Sequence, residues 1–236
     1  KIFNCSLKTE IGGGFVETLL IVGKVLLVLF AISNIALPLY MERGNYGFIW
    51  QVWKRFRIGM FLESIVMVFI TIFTMITLWD LPILKYGWAN LFFSTGGNVL
   101  VRPIIEGSET TSMVVRVLVP LFFIVFTICL PFLAHAEERL FRKGYTEWKS
   151  ILRQSIKFGL IHCTVGIPLG AGLALAIPGF FFGYKYKRAF EKNLENYELE
   201  SWDDVVDEAV MVSTTYHTMY NTIIFSYLIY LTVMAV

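Results

Sequence analysis

Charge is scarce in this chain of 236 residues: 16% are Asp, Glu, Lys or Arg, where soluble domains carry roughly a quarter. Hydrophobic residues make up 56%, and mean hydropathy is +0.66. That balance places the sequence in a membrane class rather than among soluble domains. The formal net charge of +2 is too near neutral to imply a nucleic-acid partner. Cysteine is sparse as well. Cys5, Cys129 and Cys163 are odd in number, lack CxxC spacing, and two of them lie inside apolar runs, so neither a disulfide framework nor a zinc ribbon is supported. No internal repeat or low-complexity tract is present. No basic leader with a small-residue cleavage site opens the chain, which begins at Lys1 and reads as a fragment or processed form.

Long apolar runs are what the sequence has in plenty. A membrane span needs ~20 mostly apolar residues. Six segments qualify: residues 15–40, 58–79, 112 to about 142, 148–165, 169–186 and 204–236. The expected fold is therefore all-α, a polytopic transmembrane bundle of about six spans. The third and sixth segments are long enough to tilt or project from the bilayer. The fourth is marginal, and a buried or re-entrant helix is its alternative. Residues 1–111 form a two-span region with a long outer loop, and residues 112–236 form the core.

Basic residues orient the spans. Arg43, Lys54, Arg55 and Arg57 follow the first span, Arg139, Arg142, Lys143 and Lys149 cluster after the third, and Lys185, Lys187, Arg188 and Lys192 after the fifth. The intervening connections are poor in Lys and Arg. The positive-inside rule then puts the three basic connections in the cytoplasm and both termini outside. The loop from Asp80 to Thr111 holds an apolar patch at 88–93; it reads first as a loop with a short interfacial helix, with capping the bundle, dipping into the interface or docking a membrane-protein partner as the alternatives. The stretch 191–208 mixes acids with bases and reads as a solvated helical extension.

Ionisable groups inside spans are costly and mark function by default. Lys24, one heptad after Glu17, reads as paired or snorkelling, and Glu63 and Arg116 lie near enough to span ends to reach headgroups. All three histidines, His135, His162 and His217, fall in or beside the last four spans. Glu137-Glu138 close the third span, and Arg142 lies four residues after Glu138 on the same helix face. Asn221 lies four after His217. Each feature alone has an ordinary reading: a charged span end, or a histidine bonding a neighbouring helix. Together, a carboxylate, two histidines and a carboxamide in an apolar bundle supply a general base and oxyanion donors.

The ordered set carries a family resemblance. Glu137-Glu138, three intervening residues and Arg142, Phe158, three residues and His162, and His217, three residues and Asn221 resemble, in order, the three motifs of the CPBP (CAAX protease and bacteriocin-processing, Abi) family of intramembrane glutamate proteases. The glycine-punctuated run 177–186 resembles the helix that members place between the second and third motifs. The likeness covers about residues 112–236. It departs from the family at Lys143, which intervenes before Gly144. It implies an intramembrane endopeptidase acting on a membrane-associated or lipidated peptide substrate, with its site opening toward the cytoplasmic side. Glu137 and His162 would activate water, His217 and Asn221 would hold the oxyanion, and Glu138, Arg142 and Phe158 would support them. No cofactor is implied. HExxH is absent, and a zinc site from Glu137, His162 and His217 is the minority alternative. The rival class is a proteolysis-independent membrane scaffold or assembly factor with the same fold. A transporter is weaker, since no inverted repeat or paired broken helices are evident.

Overall fold

The computed structural model describes residues 46–91, 113–195 and 201–234, with seven isolated helical positions between 22 and 40. The first expected span, 15–40, thus lies almost wholly outside the described residues, as do Lys24, Glu17 and the outer loop beyond residue 91. Among the described residues the fold is all-helical, as expected. Its elements are α1 (Tyr46–Lys54), α2 (Ile58–Trp79), α3 (Met113–Phe141), α4 (Trp148–Ile161), α5 (Leu169–Leu194) and α6 (Trp202–Met234), with short 3-10 turns at Trp88–Leu91 and His162–Val165.

Two of these helices, Ile58–Trp79 and the Pro120–Phe141 part of α3, are long and apolar enough to cross a membrane. Their surfaces agree with that use. Phe69 and Phe73 of α2 are 69% and 72% exposed, and Leu121, Phe122 and Val125 of α3 are exposed too. A continuous apolar surface of this kind wants a covering other than water. The interior, by contrast, is polar along one side of α6: Ser213, Thr214, His217 and Thr218 are all buried.

α4 and α5 approach so closely that their contact excludes side chains. A Cβ on Gly159 would lie 2.2 Å from the Gly172 carbonyl oxygen, and one on Gly172 would lie 2.5 Å from the Cys163 sulfur. Gly172, Ala176, Gly179 and Gly183 recur at helical spacing on one face of α5, the small-residue pattern that lets two backbones meet. Gly179 faces Phe158 and Gly183 faces Ile151, so the glycines bring the α4 motif side chains inward.

α5 runs eight residues past the expected end of the fifth span. It pairs with the start of α6 through Tyr186, Phe190, Val205, Val206, Ala209 and Val210, so the charged extension has its own apolar seam. Asp207 bonds Lys143 at 2.7 Å, and Glu208 bonds Arg55 Nη2 at 2.8 Å. At the other end, the amides of Leu169 and Gly170 donate to the Tyr86 and Leu84 carbonyls at 3.1 and 2.7 Å. Trp88 Nε1 there donates to the Cys163 carbonyl at 2.7 Å. α1 is a helix within what reads in sequence as a connection. Its Phe48 and Val52, one turn apart, pack on Phe132 of α3.

Candidate active site

α3 ends in Glu137-Glu138-Arg-Leu-Phe141, where a left-handed Gly144 (φ 85°) turns the chain and its amide donates to the Tyr186 hydroxyl at 3.0 Å. Neighbouring helical residues point about 100° apart, so the two glutamates meet different surroundings. Glu138 faces inward and its side chain is wholly buried; the Glu137 side chain is 38% exposed.

Glu138 is the centre of the buried polar cluster. His217 Nδ1 donates to its Oε1 at 2.9 Å, and the Ser213 hydroxyl donates to its other oxygen. The same hydroxyl lies 3.0 Å from the Phe182 carbonyl oxygen. Arg142 Nε lies 3.4 Å from Glu138 Oε2, closer to an ion pair than to an ideal hydrogen bond. The guanidinium is itself buried. It donates to the Phe141 carbonyl at 3.2 Å and sits 5.1 Å over the Phe158 ring. Arg142 Nη2 makes no hydrogen bond among the described residues.

His217 is gripped on both nitrogens. Nδ1 meets Glu138, and Nε2 faces Glu137 Oε2 at 3.5 Å. Its ring stacks on Phe182 at 4.5 Å and 17°, and meets the Phe158 ring edge-on at 5.4 Å. A neutral ring that donates Nδ1–H to Glu138 turns a lone pair toward Glu137; an imidazolium donates to both. With the imidazolium, the two carboxylates, Arg142 and His217 sum to zero charge, the condition under which buried ions are tolerated.

His162 begins the 3-10 turn after α4. Its Nδ1 is 2.7 Å from the Phe158 carbonyl oxygen, one turn back, which fixes the Nδ1–H tautomer and frees Nε2 to accept a proton. The Phe158 ring touches His162 at 4.9 Å as well as His217, so it separates the two imidazoles. No hydrogen bond joins His162 to Glu137; the imidazole beside Glu137 is that of His217. Asn221, half-buried and one turn beyond His217, makes no hydrogen bond among the described residues. His135 stands apart, with its Nδ1 3.4 Å from the Thr214 hydroxyl and its ring against Phe48.

The structure thus gathers Glu137, Glu138, Arg142, Phe158 and His217 directly, with His162 behind Phe158. His217 lies ~22 Å along α6 while Glu138 is one turn from the end of α3, because α6 starts well beyond that end. Sequence reasoning did not single out Ser213 or Phe182. Ser213 stands four residues before His217 on the same face, a signal that was available; the Phe182 stacking needed the helix rotation. Among the described residues no three His, Cys, Asp or Glu side chains form a group able to hold a metal ion, so the Glu137, His162 and His217 zinc set does not gather.

No family model, curated protein or solved structure matches the chain. The likeness to the CPBP family rests on the motif residues alone.

Proposed function

We propose that this chain is a multi-pass membrane protein of about six spans and an intramembrane endopeptidase of the CPBP type, cleaving a membrane-associated or lipidated substrate. The observation that carries the reading is His217 held between Glu137 and a fully buried Glu138, on the stretches that resemble the first and third motifs. A structural ion pair needs one carboxylate. The second, half-open to its surroundings and 3.5 Å from Nε2, is the group free to take a proton from water.

In the proposed reaction Glu137 accepts a proton from a water whose oxygen bonds the scissile carbonyl carbon. His162 stands behind Phe158 with its Nδ1 on the Phe158 carbonyl, and its part in activating that water requires the Phe158 ring to move aside. His217, as the imidazolium held through Nδ1 by Glu138, turns its Nε2–H from Glu137 to the carbonyl oxygen as it becomes an oxyanion, and Asn221 donates to the same oxygen. Collapse breaks the C–N bond, and the proton passes to the leaving amine. The Asp80–Thr111 loop and the first two spans are candidate contacts for a partner or the substrate.

The topology proposed is the one with basic connections in the cytoplasm. Ion pairs support it: Arg55 from the first basic connection and Lys143 from the third both meet the start of α6, at one end of the bundle. The sparse connections meet each other at the opposite end. α2 is ~33 Å long, and α4 with its 3-10 turn reaches ~29 Å, close to the ~30 Å hydrocarbon core. Single cysteines introduced at Gln51 or Glu195 should be protected from an impermeant thiol reagent outside intact cells, and one at Lys85 should label. The reverse pattern would invert the topology and place the site on the outer side. The activity itself is tested by Glu137→Ala, which should abolish biological function at unchanged protein abundance.

A further inference from the structure

At the basic end of the bundle, between the start of α2, the last turns of α5 and the start of α6, lies a cavity of 910 Å³ lined by five cations. Two of them are satisfied: Arg55 pairs with Glu208, and Lys185 with Glu63 at 2.5 Å. The other three, Arg57, Arg188 and Lys192, line the cavity with no ion pair or hydrogen bond among the described residues. Asn193 lines it too, and its Nδ2 is withdrawn from solvent and donates to nothing there. Glu195 is an acid on the wall with no ion pair among the described residues; Glu191 is held by Lys187 at 2.6 Å. Counting every lining charge, cations exceed anions by two, and the excess is concentrated in the unpaired side chains.

Three unpaired cations and an unsatisfied amide donor around one cavity make a cradle for a compact, multiply accepting anion. We propose that this cavity binds a phosphate-bearing anion, either a phospholipid headgroup or a soluble phosphate. Arginine forks and an amide N–H match phosphate oxygens, which accept several bonds at once. A lipid source fits the position: Arg57 directly precedes Ile58, where the long apolar α2 begins. A headgroup at Arg57 would let acyl chains run along Ile58, Phe61 and Leu62, which are exposed on α2. Basic pockets between helix ends on the cytoplasmic side are where anionic headgroups are held. The site is separate from the Glu137–His217 cluster and does not depend on hydrolase activity.

The test uses the full chain in neutral detergent and reads the thermal unfolding midpoint. Its arms are phosphatidylglycerol, phosphatidylcholine with the same acyl chains, inorganic phosphate, and chloride at matched ionic strength. The proposal expects phosphatidylglycerol to raise the midpoint over phosphatidylcholine, or phosphate to raise it over chloride. A shift with phosphatidylglycerol alone assigns a lipid, one with phosphate alone assigns a soluble anion, and shifts with both show that the site reads the phosphate itself. Arg188→Gln with Lys192→Gln should weaken binding about fivefold for each cation removed. Neither side chain is in an ion pair, so this variant keeps the fold; Arg57→Gln is the independent second variant, and Arg188→Lys should retain binding. Equal midpoints in all arms, or an anion shift that both Gln variants keep in full, would overturn the proposal.

Discussion

Glu138→Ala is expected to destabilise the protein by about 3–5 kcal/mol, the cost of stripping one partner from a buried charged pair. The size follows from what is left behind. Arg142, 1% exposed, would lose the carboxylate it pairs with, while Ser213 and His217 Nδ1 would lose their acceptor. Replacing both ends with apolar residues, Glu138→Leu with Arg142→Met, removes the orphaned charge and should recover much of the loss. Thermal midpoints in detergent check both variants. A Glu138→Ala midpoint equal to that of the wild type would mean the cluster is not a structural unit.

Glu137, the adjacent residue, should behave in the opposite way. Its side chain is 38% exposed and its one ion pair among the described residues is with His217, so Glu137→Gln leaves the fold standing and removes the proposed proton acceptor. Turnover should nearly vanish. His162→Ala should do the same, and the double variant should be little worse, since groups acting as one unit are non-additive. Asn221→Ala should lower kcat by ~10²–10³ with KM nearly unchanged, because its donor acts only as charge develops on the carbonyl oxygen. Its stability cost should stay within ~0.6–2 kcal/mol. His217→Ala combines both kinds of loss, turnover and the Glu138 contact. If Asn221→Ala instead raises KM with kcat intact, the carboxamide holds ground-state substrate and is not an oxyanion donor.

The division of labour between the two glutamates also marks how far the sequence could be read. Helix α2 runs from Ile58 to Trp79, the segment expected, because Arg57 and Asp80 bracket an uninterrupted apolar run. The sequence ends the fifth apolar span at residue 186 and reads 191–208 as a helical extension, without showing that α5 runs on unbroken. The helix continues to Leu194 because nothing breaks it there, and Phe190 finds Val205 and Val206 on α6. α1 was missed because its basic neighbours resemble a connection, although Phe48 and Val52 at i and i+4 already form an apolar face. The motif spacing singles out Glu137, Glu138 and His217, which the fold brings into contact. It could not say which glutamate faces inward, since that depends on how α3 is rotated against α6. Nor could it show that His217, rather than His162, stands beside Glu137, because Phe158 separates the two rings only once α4 is docked on the α5 glycines.

The central claim is that Glu137 directs water onto a peptide bond within the membrane. Membranes from cells lacking this protein, incubated in H2(18)O with purified wild-type protein or Glu137→Gln, expose every native substrate at once. New C-termini carrying one (18)O are then sought by mass spectrometry. The account predicts a discrete set of such termini, on membrane-associated proteins, with the wild type and none with Glu137→Gln. No labelled termini with the wild type, together with full function of Glu137→Gln in cells, would contradict it and leave a scaffold.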